Sequence, residues 1–399
     1  MQVKEPIRLD RAFVQDPHAL YRRLRAEAPA HQVEMWGGVR AWLITRYSEA
    51  RALLNDPRLG KDQKRALALF PPGTEGPHAS SLNVNMLLRD PPDHTRLRRL
   101  VTKAFTTRAV ERLRPQIERI TDELLDGIEA GGAEGAVDMM EFFGAPLPIR
   151  VIGELLGVDW ADREKFRTAV DPVLTTTDPD ELRTAMTTLT TLVSALIASK
   201  REIPADDVLT ALVEVSDSGD QLSEDELLAT AYLLILAGYE TTVNLIGNGV
   251  LALLHNPSQL ELLRANPSRL PDAVEEFLRF ESPLNIATVR FTTVGIRVGD
   301  VDIPADELVM IALLAANHDG DQFDQPDRLD ITRKPNAHLA FGHGIHYCIG
   351  APLARLEAEI ALGRLLARFE SIWLDDTAAL EYRSSTLMRG LKALPVRLG

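Results

Sequence analysis

The chain has 399 residues, about two to three times the length of a typical globular domain, so it can enclose a cofactor together with a substrate. The formal net charge, 44 Lys and Arg minus 58 Asp and Glu, is −14, which argues against nucleic acid and anionic lipid as partners. The single cysteine, Cys348, excludes internal disulfides, four-cysteine zinc sites and protein-ligated iron–sulfur clusters.

The N-terminal part of the chain carries no targeting signal and one strand pattern. Charged residues are mixed through Met1 to Arg11, so we expect neither a secretory signal nor a membrane anchor, and a cytoplasmic location. Two alternating runs, His31–Met35 and Val39–Thr45, flank Gly37 and Gly38. This arrangement predicts a β-hairpin with a Gly-Gly turn.

Helical spacing dominates the middle of the chain. It extends from Asp93 to Glu129 and from Leu147 to Val170, with breaks at Gly131–Gly135 and Pro146–Pro148. The threonine-rich stretch from Val170 to Ser199 predicts a loop between two helices. It is interpreted either as a moving lid or as a plain surface connection.

One long helix is predicted to cross the fold. Ser223 and Glu226 form a capping box at its start, and Asn256-Pro257 marks its end, which gives about 45–50 Å of helix. Glu240 is the only charge between Leu227 and Leu254. This stretch could span a bilayer, but its polar side chains and glycines favour a buried central helix, and we see no second candidate span.

The lone cysteine lies in a glycine-rich segment, Phe341-Gly342-His343-Gly344-Ile345-His346-Tyr347-Cys348-Ile349-Gly350. A helical pattern begins directly afterwards, at Ala351. A sulfur at this place would face a helix N-terminus, which lowers the pKa of a thiol. The alternative is that Cys348 is a small core residue.

The segment F-G-x-G-x-H-x-C-x-G resembles the haem-binding loop of cytochrome P450 monooxygenases. The resemblance implies that the Cys348 thiolate is the axial ligand of the iron in haem b, and that Phe341 and Gly342 contact the cofactor. It also implies a mainly α fold with small β-sheets, one domain over residues 1–399, and haem between the long helix and the cysteine loop.

A second match lies on the long helix, at Ala237-Gly238-Tyr239-Glu240-Thr241-Thr242. It is similar to the oxygen-binding segment of the same family. Ala237 and Gly238 would leave room for the cofactor, and the Thr241 hydroxyl would bond the carbonyl four residues back. The resemblance assigns Glu240 and Thr241 to a proton relay; a structural salt bridge from Glu240 to an arginine is the alternative.

Two further groups follow from the resemblance. Glu276 and Arg279 read as E-x-x-R on a helix, and with Arg328 they would form a buried structural network. The haem propionates need cationic partners. Those partners are expected to be His94, Arg98, Arg290 and His346.

Eight Lys and Arg lie between Arg96 and Arg119 against Glu111 and Glu118, a local balance of 8 − 2 = +6. In the family such a face receives a ferredoxin or flavodoxin, which is reduced in turn by its reductase. The residues expected to form it are Arg99, Lys103, Arg108 and Arg112. The alternative is an ordinary solvated helix face.

The matches at 90–99, 237–249, 340–355 and 389–395 are most similar to soluble actinobacterial P450s of antibiotic and other secondary metabolism. They imply a monomeric monooxygenase that uses O2 and two electrons from NAD(P)H, through redox partners, to hydroxylate or epoxidise a macrolide, polyketide or sterol-like molecule. A peroxide-driven enzyme and a non-catalytic haem sensor or carrier are the alternatives. The candidate pocket residues are mostly aliphatic. They are Asn85–Leu88 with Leu87 and Leu88, Val173, Leu174, Leu233, Leu236, Leu284, Ile286 and Leu387.

Overall fold

The computed structural model describes residues 6–71, 82, 84–131, 135–159, 162–176, 178–217, 222–375 and 379–399. Helix is the main element of this part of the chain. The helices are α1 Arg11–Gln15, α2 His18–Glu27, α3 Tyr47–Leu53, α4 Gln63–Leu67, α5 Asp93–Ala104, α6 Thr107–Glu111, α7 Arg114–Ala130, α8 Pro146–Leu155, α9 Arg163–Thr175, α10 Pro179–Glu202, α11 Val208–Asp217, α12 Glu224–His255, α13 Pro257–Ala265, α14 Leu270–Phe280, α15 Leu313–Asn317 and α16 Ala351–Arg368.

The strands are short and form three small sheets. They are β1 Ile7–Arg8, β2 Ala30–Glu34, β3 Arg40–Ile44, β4 Leu59–Gly60, β5 Val137–Asp138, β6 Arg290–Thr292, β7 Ile296–Val298, β8 Val301–Ile303, β9 Leu308–Ile311, β10 Ile372–Leu374 and β11 Pro395–Leu398. The largest sheet has the order β1-β2-β3-β9-β6-β4, and the others are β10-β11-β5 and β7-β8. The expected mainly α fold with small sheets is confirmed.

The predicted hairpin is present as β2 and β3, which pair antiparallel with Ala30 opposite Ile44 and Glu34 opposite Arg40. Gly37 and Gly38 in the turn have φ of 66° and 75°. Only glycine adopts this left-handed region without strain, so the Gly-Gly pair sets the turn. Strand β9 then joins β3 in parallel and carries the chain back towards the centre of the fold.

Helix α12 is the centre of the packing. Its capping box forms as predicted, because Ser223 accepts the N–H of Glu226 while the Glu226 side chain accepts the N–H of Ser223. The helix extends for 32 residues and contacts α8, α10, α14 and α16. It is long and apolar enough to cross a bilayer, but most of that stretch is buried inside the fold, as expected of a core helix.

One expectation for the middle of the chain was confirmed and one was wrong. The predicted helical stretch 93–129 is helical, in three pieces α5, α6 and α7, and Phe105 and Arg112 are the C-caps of the first two. The stretch 170–199 is the end of α9 and most of α10 rather than a loop. Threonine hydroxyls satisfy carbonyls one turn back within α10, so the β-branched residues are tolerated there. They are Thr184, Thr187, Thr188, Thr190 and Thr191. Helix α10 is also a second segment long and apolar enough to span a bilayer.

Candidate haem site

The cysteine loop presents Cys348 between a 3-10 turn, Gly344–His346, and the first turn of α16. The backbone N–H of Cys348 donates to the Phe341 carbonyl at 2.9 Å, which closes the loop. Gly342 and Gly344 have φ of 73° and 75°, so both positions require the conformational freedom of glycine. The sequence predicted these tight turns before the cysteine.

Cys348 has one face open to solvent and is otherwise densely surrounded by protein. This desolvation raises the pKa of the thiol, although the N–H groups of Gly350 and Ala351 and the charge of Arg98 act in the opposite direction. The sequence predicted the lowering effect of the helix N-terminus, and that contribution is present. In the protein without haem it is smaller than the cost of burial, so the net direction of the pKa shift is upward.

One face of α12 is open although the rest of the helix is buried. Leu233, Leu236, Glu240 and Thr241 are half-exposed, and Ala237 is exposed in the middle of the helix. Their spacing of three and four residues places them on a single face. An otherwise buried helix with one open face indicates a cavity along that face, which carries the two predicted relay residues and two of the predicted apolar contacts, Leu233 and Leu236.

Threonine hydroxyls modify the backbone of α12 where the sequence predicted a notch. Thr241 Oγ1 donates to the Ala237 carbonyl at 2.7 Å, and Thr242 Oγ1 donates to the Gly238 carbonyl at 2.9 Å. Gly238 has a different role from the predicted one. A Cβ there would lie 3.3 Å from Ile152 Cδ1, so its missing side chain serves the packing of α8 against α12, while Ala237 faces the cavity.

Burial raises the pKa of Glu240, and the positive charge of Arg383 opposes this shift. Among the described residues, Glu240 forms neither a hydrogen bond nor an ion pair, so the structural salt bridge weighed as an alternative is not present there. One turn further along α12, Asn244 is buried and neither its Nδ2 nor its Oδ1 has a described partner. A Cβ on Gly390 would lie 1.8 Å from Asn244 Oδ1, which explains the glycine.

The four predicted propionate ligands come together from three parts of the chain: α5, β6 and the cysteine loop. The rings of His94 and His346 lie 4.3 Å apart, centroid to centroid, and neither nitrogen of His94 has a partner among the described residues. Arg290 is buried, and among the described residues the Thr288 carbonyl alone accepts a hydrogen bond from its guanidinium, at 3.2 Å. Burial together with neighbouring positive charge lowers the pKa of His346 to about 2. These groups form an incompletely neutralised cationic cluster.

The residues present fit an anionic, planar haem. Unpartnered nitrogens and buried guanidinium groups are costly unless an anion is bound against them, and haem carries two carboxylates at one edge. The cluster lies near Cys348, since Arg98 acts electrostatically on both His94 and the thiol. The thiol and the cationic cluster therefore lie close together, and the open face of α12 leaves room for a ligand along the central helix.

The buried network contains Arg333 in place of the predicted Arg328. Glu276 and Arg279 are fully buried and joined by two bonds of 2.8 Å, as expected. Arg333 Nε donates to both oxygens of Glu276 at 3.2 Å. The Arg328 guanidinium is exposed, and only its backbone carbonyl accepts bonds from the two buried arginines, so the assignment of its side chain was wrong.

Sequence reasoning missed a second ion-pair group that holds the cysteine loop. Arg355 on α16 makes bonds of 2.6 and 2.9 Å to Glu275 on α14, and His338 Nε2 lies 3.1 Å from the same carboxylate. The Arg355 guanidinium also lies 4.6 Å from the centre of the Phe341 ring. Glu275 directly precedes the predicted E-x-x-R motif, so the sequence feature that could have indicated this group is a second glutamate beside the motif.

The remaining apolar candidates divide into three groups. Leu87, Leu88, Val173, Leu284 and Leu387 are half-buried. Ile286 is 2% exposed and packs in the core around the largest sheet, so its assignment to the pocket was wrong. The side chain of Leu174 lies outside the part of the chain that the structure describes.

At least four of the eight basic residues predicted around α5 to α7 are paired with acids in the part of the chain that the structure describes. Arg112 donates to Asp206 at 2.6 Å, and Arg96, Arg114 and Arg119 are also in ion pairs. Arg99, Lys103 and Arg108 are exposed, and Lys103 and Arg108 form no ion pair with a described residue. Ile345 and Tyr347 of the cysteine loop are exposed as well.

Comparison with known proteins agrees with this geometry. The family model for cytochrome P450 matches residues 174–390, more than half of the chain. The chain is 50% identical to cytochrome P450 107B1 of Saccharopolyspora erythraea, covering 100% of this chain and 99% of that protein. It is 46% identical to the vitamin D(3) 25-hydroxylase of Pseudonocardia autotrophica, covering 97% and 95%.

Among solved structures, the tirandamycin C-bound P450 monooxygenase TamI superposes with a TM-score of 0.91 at 48% identity, covering 99% of this chain and 100% of that one. Family, fold and cavity thus point to the same chemistry. The chain belongs to the cytochrome P450 family.

Proposed function

We propose that this chain is a haem-thiolate monooxygenase that inserts one oxygen atom from O2 into a large, mainly apolar small molecule. As a cytochrome P450 it is an oxidoreductase whose cofactor is haem iron. The observation that carries the proposal is the cationic cluster of His94, Arg98, Arg290 and His346 beside the Cys348 thiol, together with the open face of α12.

In this proposal Cys348 ligates the iron, and His94, Arg98, Arg290 and His346 hold the propionates. Phe341 and Gly342 form the wall of the loop beside the cofactor. When bound, thiolate-ligated haem supplies the activation of oxygen that allows attack on C–H bonds. All other parts of the chemistry depend on how the protein binds, orients and protonates.

Glu240 and Thr241 supply protons to the open face of α12. Burial raises the pKa of Glu240, so this carboxyl holds its proton at a higher pH than an exposed glutamate does. The Thr241 hydroxyl is held against the Ala237 carbonyl and presents its oxygen to the cavity as an acceptor. Asn244 extends the polar side of the helix by one turn, with both amide atoms available to bond water.

The substrate is proposed to be a macrolide, another polyketide or a sterol-like compound, oxidised by hydroxylation or epoxidation in secondary metabolism such as antibiotic biosynthesis. Aliphatic side chains line the open face of α12, which favours a ligand held by shape and by buried apolar area. One relative is named as a vitamin D(3) 25-hydroxylase, and another, of nearly equal identity, is solved with tirandamycin C bound. Both names support a large small molecule as the substrate.

The electrons are proposed to come from NAD(P)H through a reductase and a ferredoxin or flavodoxin that binds beside the cysteine loop. Exposed Lys103 and Arg108 support an acidic partner, and Ile345 and Tyr347 add apolar contact area nearby. We further propose a single domain over residues 1–399 that acts as a cytoplasmic monomer.

The test is the absorption spectrum of the reduced protein under carbon monoxide. The wild-type protein is expected to show the band characteristic of thiolate-ligated haem, and Cys348→Ala is expected to lose it. Product formation with O2, NAD(P)H and a ferredoxin system then separates a monooxygenase from a haem carrier. A band that persists in Cys348→Ala, or haem binding without any turnover across a macrolide and sterol panel, contradicts the proposal.

A further inference from the structure

The cationic cluster contains a lysine that the sequence motifs did not identify. Lys61 follows β4, and its side chain is only 3% exposed. Nζ donates to Thr288 Oγ1 at 2.6 Å, and it forms no ion pair with a carboxylate among the described residues. An ammonium group has three donors. The described contacts of Lys61 therefore leave a buried charge largely unsatisfied.

The surroundings of Lys61 are mainly cationic. Burial and the charge of Arg290 lower its pKa, and Lys61 in turn lowers the pKa of His94 and His346. Asp90 opposes this effect, but its carboxylate already accepts the backbone N–H groups of Lys61 and Asp62 at 2.9 to 3.0 Å. Asp90 thus fixes the backbone that carries Lys61, and Nζ is directed elsewhere.

The count of charged side chains indicates what the lysine binds. In their charged forms Lys61, Arg98 and Arg290 carry +3 and Asp90 carries −1, which leaves +2 apart from the two histidines. Two haem propionates carry −2. Without Lys61 the cluster would carry one positive charge too few for the two propionates. With Lys61 the charges of the cluster and of the propionates neutralise each other.

We propose that Lys61 is a further haem-anchoring residue, whose ammonium binds a propionate beside His94, Arg290 and His346. This inference rests on the proposed placement of haem in this cavity. The proposal places the segment between β4 and α4 in the cofactor site. It also implies that the charge of Lys61 affects the reduction potential of the iron. A positive charge near the haem favours the reduced state, because reduction adds one negative charge.

Two measurements on the holoenzyme test this role: the rate of haem transfer to excess apomyoglobin, and the reduction potential from spectroelectrochemistry. Lys61→Met keeps the length and removes the charge. It is expected to lose haem about ten to a hundred times faster, as for the loss of one hydrogen bond to a charged group, and to have a lower potential. Lys61→Arg is expected to restore both values towards those of the wild type.

Two controls separate this role from a structural one. Lys64→Met removes an exposed lysine three residues away and is expected to change neither value. Thr288→Val removes the neutral partner of Lys61 and is expected to leave the potential unchanged. Wild-type haem retention and potential in Lys61→Met overturn the proposal, and so does a Thr288→Val variant that reproduces the changes of Lys61→Met. If instead the wild-type protein lacks the thiolate-haem band, the proposed function fails before this test applies.

Discussion

At the scale of single residues, the structure separates roles that the sequence motif joins. Ala237, Glu240 and Thr241 share the open face of α12, whereas Gly238 packs against α8. The motif places these residues within five positions, and the helical period then decides which of them reach the cavity. Side-chain direction was therefore predictable for Glu240 and Thr241, while the role of Gly238 depended on Ile152, a contact between distant parts of the chain.

The proton relay predicts a specific defect in Glu240→Gln. The amide keeps the size of the side chain but acts as neither an acid nor a base near neutral pH, so product formation is expected to fall about a hundredfold, in the range of general acid–base catalysis. The substrate-induced shift of the Soret band is expected to stay at the wild-type value. The measurement is the ratio of product formed to NAD(P)H consumed.

Glu261→Gln, an exposed substitution on α13, is the matched control for this experiment. It is expected to retain the wild-type ratio. An unchanged ratio in Glu240→Gln, or a loss of the Soret shift together with the activity, would contradict a role in proton delivery.

At the scale of elements, the clearest signals in the sequence were those with local physical causes. The capping box of α12 and the Gly-Gly turn between β2 and β3 depend only on neighbouring residues, and both form as predicted. The interpretation of 170–199 as a loop was wrong because threonine and proline are weak helix formers taken alone. In α10 the hydroxyls bond within the helix and Pro179 occupies its first turn, where proline is tolerated.

The structure places Arg333, not the predicted Arg328, in the buried network, and this difference can be tested by replacing each arginine in turn. Arg333→Ala leaves Glu276 with one of its two cationic partners in a fully buried site, and it is expected to cost about 3 kcal/mol of stability. Arg328→Ala removes an exposed side chain and is expected to cost less than about 0.5 kcal/mol. Thermal unfolding of the two haem-bound variants, followed by the Soret band, measures the difference.

The backbone carbonyl of Arg328 remains in place in Arg328→Ala, so its bonds to the two buried arginines persist in that variant. Equal destabilisation by both substitutions would show that the Arg328 side chain contributes after all. The sequence could not decide between the two arginines, because they lie five residues apart in one irregular segment and only the path of the chain selects Arg333.

At the scale of the whole molecule, a protein with a formal net charge of −14 keeps a small basic area on α5 and α6. The sequence predicted a local balance of +6 around α5 to α7. Long-range pairs reduce it, since Asp206, Glu226 and Glu154 come from other parts of the chain to neutralise Arg112, Arg96 and Arg119. The basic area that remains without described acidic partners is centred on Lys103 and Arg108. Local composition could not predict this reduction, because the neutralising acids are brought in by tertiary contacts.

This remaining area predicts the effect of charge on reduction. The double variant Lys103→Glu, Arg108→Glu is expected to be reduced by a ferredoxin roughly ten times more slowly at low salt, since steering by a complementary field is lost. The deficit is expected to shrink as salt rises. Stopped-flow reduction over a range of ionic strength measures it.

The matched control reverses Arg40 and Arg297, exposed arginines on the sheets. It is expected to leave the reduction rate unchanged. A deficit of equal size in this control would mean that only the total charge matters, and wild-type reduction of the double variant would remove the basic area from the docking site.

The way in which α10 is held has a consequence for its rigidity. Its buried apolar side chains are Ala185, Leu189, Val193 and Ile197, a single stripe spaced four residues apart. The helix packs through this stripe on α9, α11 and α12. Near its C-terminal end, Lys200 forms an ion pair of 2.7 Å with the buried carboxylate of Asp207 and donates to the Gly157 carbonyl at 2.7 Å. Helix α10 is thus joined to the fold along one apolar line and anchored at one end by a buried charge pair.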